Sequence, residues 1–285
     1  MPPVSPTPWT HLKFGDKVLG GLPQPLARAI DEEREAFDLG CLGPDPLFFY
    51  QPIRPNAVRR EGVRMHRNSA LPAVERLRQA IEEGVPMSVG YGAGFLCHLA
   101  LDSACHGYVD ERAADGPISH MAMEGEFDRM LMESDGLDTA SQAHLPAAPE
   151  KGSQVWDAAA CAYIHASPRQ VRRAYRAMNW YLSFFARSCG TRRGKVIGAV
   201  SRMLPIQSAK DVALKETPHP ASLESSADLD RLLEGAVDET TQQIGAFFQA
   251  IREDAPVPAW FDRDFKGNPP EGEKAWAAAL GGSLS

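Results

Sequence analysis

Two short stretches carry the residues that could do chemistry in this chain. His98, Asp102 and His106 follow one another at intervals of four, and His120 and Glu124 repeat that interval further on. Positions four apart lie one above the other on an α-helix. Two neighbouring helices would therefore turn three imidazoles and two carboxylates toward one point. Imidazole plus carboxylate is a ligand set that suits zinc and is compatible with manganese or iron. The residues around Asp102 (Leu99, Ala100, Leu101, Ala104) are apolar. A carboxylate buried among them without a partner is costly, and a cation supplies the partner. Any one of these histidines alone reads as a packed or surface side chain. Five metal-capable residues in one register point to a multinuclear metal site.

Three more candidates lie upstream. His11 falls in the first turn of a helix predicted over 10–22, with Thr10 as its N-cap. Asp45 stands between Pro44 and Pro46 in LGPDPLFFY, where the prolines fix a rigid turn. A carboxylate held there among apolar residues is better placed as a ligand than as surface, although a plain turn aspartate has the same sequence. His66 sits just before a helix predicted over 71–84, whose Pro72 suits the first turn. Asp128 continues the face of His120 and Glu124 by another four residues.

The elements that must position these residues read as helices throughout. A helix is predicted over 25–39 and stopped by Gly40, and 51–65 reads as loop. The central helix, 86–110, is apolar nearly all round, which predicts burial. Gly90, Gly92 and Gly94 suggest close backbone packing there; the stretch follows no strand and has no Walker lysine, so it is not a phosphate loop. Gly107 is expected to end this helix, and 111–117 to form a loop. Ser119 then caps a helix over 120–134. A polar connector over 135–152, with His144 exposed, leads to a helix over 153–166. Ser167-Pro168 opens a basic, aromatic helix over 168–190. A short helix or strand is expected over 195–205, a loop over 215–222 and the longest helix over 222–253. Trp260, Phe261 and Phe265 lie in a tail that could pack across the bundle. There is no period-2 series and no repeat, so the fold class is all-α, a multi-helix bundle. We expect one domain over 1–285, with a metal-binding half over 1–135 and a helical half over 151–285 that could be a sub-domain.

Composition narrows the function. With 285 residues, 44% hydrophobic and 24% charged, the chain has ample material for a core. A formal charge of −7 gives no strong nucleic-acid signal. Cys41, Cys97, Cys105, Cys161 and Cys189 are odd in number, scattered and form no CxxC pair, so reduced thiols are expected. No signal peptide and no transmembrane stretch is evident, which gives a cytoplasmic expectation. Oligomeric state is not readable.

Taken together, TH-x2-FG-x2-V (10–18), LGPDPLFFY (42–50), His66, GFLCHLALDSACHGYV (94–109) and SHMAMEGEFD (119–128) closely resemble the bacterial zinc-dependent phospholipase C family, in particular its intracellular-looking branch. The resemblance implies an all-helical bundle of the phospholipase C and single-strand nuclease type with two or three zinc ions. One would be held by Asp45, His66, His98 and Asp102, a second by His106, His120 and Glu124, and a third by His11 with Asp102 shared. It implies Asp45 as the general base that holds the attacking water, and a phospholipid or small phosphodiester as substrate. Two departures stand out. Secreted members complete the third site with an N-terminal Trp, whereas Trp9 here lies within the chain, and Gly107 replaces a proline common in relatives. The rival expectation is a metal-stabilised binding or scaffold protein without turnover, using helix 168–190. An HD-type phosphohydrolase is disfavoured because no adjacent His-Asp pair occurs.

Overall fold

A computed structural model describes residues 7–139, 144–188 and 218–268. Among these the fold is all-α, with ten α-helices and no strand. They are α1 (Pro8–Gly21), α2 (Gln24–Asp31), α3 (Arg34–Gly40), α4 (Ala57–Met65), α5 (Leu71–Glu82), α6 (Ser88–Asp115), α7 (His120–Ser134), α8 (Val155–Cys161), α9 (Pro168–Ser188) and α10 (Ser222–Arg252). Two 3-10 turns, Asp45–Phe49 and Ala259–Phe261, complete the set. No helix among the described residues is long and apolar enough to cross a membrane.

The bundle is built around α6. Nearly every residue from Ser88 to Cys105 is buried, and α1, α2, α3, α5, α7, α8 and α10 all pack against it. The glycines set how close one of these neighbours comes. A Cβ on Gly94 would strike the Phe37 carbonyl and the Cys41 amide, and one on Gly40 would strike the Tyr91 carbonyl. The backbones of α3 and α6 therefore cross in contact, as the glycine spacing suggested. Gly92 plays no such part, since its Cα faces only the end of Ile81.

Several boundaries differ from the sequence expectation. Helix 25–39 is two helices broken at 32–33, and at the break the Glu33 carboxylate accepts the Gly90 N–H at 2.6 Å. That bond satisfies an amide in the first turn of α6, whose N-cap residue, Met87, provides no side-chain cap. The second of the two helices, α3, ends at Gly40 as expected, with Cys41 as its C-cap. The expected loop 51–65 contains α4: Asn56 caps it by accepting the Arg59 N–H at 2.9 Å. Gly107 does not end α6, which runs on to Asp115 and stops before Gly116-Pro117. Helix 153–166 is the shorter α8, so His165 lies in the following loop, and His144 is half-buried. The prediction for 195–205 falls outside the described residues. Ser119 does cap α7, α10 spans almost the predicted range, and Phe261 and Phe265 are fully buried across the bundle. Cys41, Cys97, Cys105 and Cys161 are free thiols; Cys189 is outside the described residues.

Candidate metal centre

The centre is built on one face of α6. His98, Asp102 and His106 stack along it, and Asp102 lies at the middle of the cluster, 3% exposed. Its Oδ2 is 3.2 Å from His98 Nε2 and 3.8 Å from His66 Nε2. Its Oδ1 is 3.4 Å from both His11 Nε2 and His106 Nε2. Helix α7 then brings Glu124, whose Oε1 is 3.1 Å from both His106 Nε2 and His120 Nε2. Asp45, on the 3-10 turn, places Oδ1 3.1 Å from His66 Nε2. The structure thus brings together all eight predicted site residues: His11, Asp45, His66, His98, Asp102, His106, His120 and Glu124. They form three groups able to hold a cation: His11, His98 and Asp102; Asp45, His66 and His98; and His106, His120 and Glu124.

Each arm of the site has an identifiable anchor. His98 Nδ1 lies 3.2 Å from the Cys41 carbonyl, and His66 Nδ1 lies 2.8 Å from the Gly62 carbonyl. A backbone carbonyl only accepts, so both rings donate from Nδ1 and present Nε2 to the cluster, where it can bind a cation once its proton is lost. The His66 ring is held between Phe48 and Phe265, with centroids 4.9 and 4.8 Å away. Gly43, at φ +49°, carries the chain past His98; a Cβ there would run into the imidazole. Its carbonyl accepts the Tyr163 hydroxyl at 2.9 Å.

Three contributors were not foreseen. The run of four-residue steps on α6 continues to Asp110, whose Oδ1 accepts from His120 Nδ1 at 2.8 Å. Asp110 Oδ2 in turn pairs with Lys266 Nζ. The spacing H-x3-D-x3-H-x3-D was the available signal. Asp128 does not join the ligands, although it keeps their face. Its Oδ1 accepts both the Thr10 N–H and the Thr10 hydroxyl at 2.7 Å, tying down the first turn of α1. Thr10 is therefore a first-turn residue, with Thr7 at the N-cap, and His11 is positioned through Asp128. The third contributor is the segment after the Ala259–Phe261 turn. Phe265 lies against His66 and, at 5.8 Å, His98, while Lys266 reaches the His120 side.

The electrostatics favour a cation. Burial, and then the neighbouring His98, pull His11 down to about 4, so its imidazole is neutral near pH 7. Burial also acts against charge on His106 and His120, yet the surrounding carboxylates outweigh it and raise them to about 9 and about 10. Burial would raise Asp102 and Glu124, but the imidazoles hold both well below the usual carboxylate range. Despite this crowding, His98 Nε2, Asp102 Oδ2, Glu124 Oε2 and His11 Nδ1 are buried without a hydrogen-bond partner. Buried polar atoms of native proteins are rarely left so. His98 Nε2 and Asp102 Oδ2, which face one another at 3.2 Å without a hydrogen bond, fit a bound ion.

The family described as zinc-dependent phospholipase C matches residues 10–166, which is more than half of the chain and contains all eight residues of the centre. No curated protein and no solved structure matches the chain.

Proposed function

We propose that this chain, which belongs to the zinc-dependent phospholipase C family, is a metal-dependent phosphodiester hydrolase acting on a phospholipid or a small phosphodiester. The observation that supports this most is the gathering of eight imidazole and carboxylate side chains from five segments into three cation-capable groups, with His98 Nε2 and Asp102 Oδ2 buried among them without a hydrogen bond. The ions would be held by Asp45, His66, His98 and Asp102, by His106, His120 and Glu124, and by His11 with Asp102. Zinc bound at such a site lowers the pKa of its water to about 7 and offsets charge on the attacking and leaving oxygens.

The chain's own residues do the rest. Asp45 sits at the edge of the cluster on a turn stiffened by Pro44 and Pro46, so its carboxylate can orient water and take its proton. His98 and His66, each donating from Nδ1 to a carbonyl, hold Nε2 aimed at the cluster as the atom that would bind the cation. His66, His106 and His120 are only half-buried, which makes their side the approach for substrate. His11, Asp102 and Glu124 are buried and exclude solvent from the opposite side.

One observation favours a second reading, a metal-stabilised protein without turnover: fully buried Phe265 closes the centre beside His66 and His98, as in a structural site. Hydrolysis separates the two. Zinc-loaded protein should release diacylglycerol from phospholipid vesicles or nitrophenolate from a chromogenic phosphodiester, and chelation should abolish it. Equal hydrolysis by chelated and loaded protein would refute the metal-dependent mechanism. Tight zinc binding with no hydrolysis of either substrate would favour the structural role.

A further inference from the structure

Three of the four large apolar side chains that stand exposed among the described residues lie on or beside α4 and α9: Ile53 (91%), Ile164 (57%) and Trp180 (56%). The same two helices carry arginines in rows. On the α4 side Arg60, Arg64 and Arg67 recur at steps of four and three, all exposed, and border an open cleft of about 770 Å³ with His165. On α9, Arg169, Arg173, Arg176 and Trp180 recur at steps of four, three and four, which is one stripe of the helix, again all exposed.

Most of these charges lack an ionic partner among the described residues. Among the described residues Arg60, Arg67, Arg169, Arg173 and Arg176 make no ion pair. From Asp157 to Asp211 the sequence holds no intervening Asp or Glu, although the whole chain carries −7. The only carboxylate beneath the α4 row, Glu61, is buried. Its two oxygens accept the Ile164 and His165 N–H groups at 2.5 and 2.6 Å, and Arg64 is 3.6 Å from it. That contact ties the loop bearing Ile164 onto α4, and the same loop enters α9 at Pro168. Both helices pack on the Asp45–Phe49 turn, and Arg67 directly follows His66.

Unpaired arginines interspersed with exposed isoleucines and a tryptophan match one kind of surface. An anionic headgroup layer neutralises the guanidinium groups, and the acyl boundary beneath it accepts the apolar tips. A single-stranded nucleic acid fits less well: it needs several open aromatic faces. Isoleucines offer none, and one face of Trp180 is already stacked on Phe184, at 5.3 Å and 10°. We infer that the α4–α9 face docks on an anionic phospholipid bilayer and holds the metal centre at the headgroup layer. The inference takes its substrate class from the hydrolase reading above, and its test measures binding apart from turnover.

The experiment uses zinc-loaded full-length chain and vesicle flotation. Vesicles of phosphatidylcholine containing phosphatidylglycerol should carry the protein with them, pure phosphatidylcholine vesicles should not, and added salt should release it. The triple variant Arg60→Glu, Arg169→Glu, Arg173→Glu should bind about a hundredfold more weakly. Its circular dichroism and its hydrolysis of a soluble chromogenic phosphodiester should stay at the wild-type level. Trp180→Ala should weaken binding in a way that salt does not reproduce. Equal flotation on both vesicle types, or a triple variant that floats as wild type, would overturn the inference. So would a single-stranded oligonucleotide that binds more tightly than the vesicles and depends on the same arginines. Arginine-dependent flotation of a protein that cleaves no phosphodiester would sustain the docking face and sink the hydrolase reading instead.

Discussion

Asp102→Asn is the sharpest perturbation of the proposed centre, because it removes one charge and almost no volume. Asp102 lies within 4 Å of the Nε2 atoms of four histidines: His11, His66, His98 and His106. All three cation-capable groups adjoin it, since one contains it, another contains His66 and His98, and the third contains His106. Loss of a residue that merely supports a ligand typically lowers metal affinity 10- to 100-fold, so about 100-fold is a floor for a shared ligand. By mass action that removes about 2.7 kcal/mol of zinc-linked stability at saturating metal. For a chain of this size each kcal/mol moves the midpoint by about 2–4 °C, so the zinc-induced rise in Tm should shrink by about 5–11 °C. Thermal melts with and without zinc, with metal counted by elemental analysis, measure it. Asp228→Asn is the control: Asp228 is also buried, but it accepts from the Tyr108 hydroxyl at 2.7 Å and is not one of the cation-capable groups. It should lower both melts together. If Asp102→Asn shows the wild-type zinc-induced rise and the wild-type metal content, the reading of Asp102 as a shared ligand is wrong.

Three other outcomes follow from the geometry. Gly43→Ala forces a Cβ at φ +49° into the His98 ring, so it should lower zinc content at the Asp45–His66–His98 group as well as stability, by about 1 kcal/mol or more from the backbone conformation alone; unchanged zinc content counts against His98 as a ligand. Asp110→Asn should weaken zinc at the His106–His120–Glu124 group about 10- to 100-fold, with Lys266→Met a milder version, and cobalt substitution should show a changed absorption spectrum at that group alone; a wild-type spectrum in both would remove Asp110 as the anchor of His120. The metal-free protein holds His106 near 9 and His120 near 10, both above the unfolded value of 6.5. Their pairs with Glu124 and Asp110 therefore stabilise the metal-free fold fully below pH 6.5, and that contribution is lost as pH rises through about 9 to 10. Zinc needs neutral imidazoles, so binding at pH 7 should release about two protons from this group and tighten as pH rises; calorimetry in buffers of different ionisation heat counts them, and zero release contradicts the assignment.

What the sequence made legible was local and periodic. The steps of four on α6 and α7 are a property of helix geometry, so they could be read before any packing was known, and they place five of the eight residues. The long apolar stripe of α10 and the Ser167-Pro168 start of α9 were legible for the same reason. What escaped were features decided by long-range contacts. Nothing near residue 33 signals the break, or the bond that Glu33 makes there to Gly90 on another helix. Helix α4 was hidden because its buried face includes Glu61, whose charge reads as exposed until Ile164 and His165 are seen to donate to it. Asp128 carried the right spacing for a ligand and serves a different end, which only the position of Thr10 reveals.

The segment from Asp262 to Asn268 shows how far apart in sequence the parts of this centre lie. Gly267, at φ +75°, brings its backbone against the Ser103 carbonyl, and Ser103 Oγ donates to the Asp264 carbonyl at 3.2 Å. Ser103 is the residue after Asp102. Anchored there, the segment sets Phe265 on His66 and Lys266 on Asp110. One short stretch thus braces a ligand of the Asp45–His66–His98 group and, through Asp110, a ligand of the His106–His120–Glu124 group. The family match ends at residue 166, so this bracing lies outside the matched region. A centre whose ligands all come from the first 124 residues is held in register by residues 140 positions further on, which is why the ligand motif alone is not a sufficient description of the site.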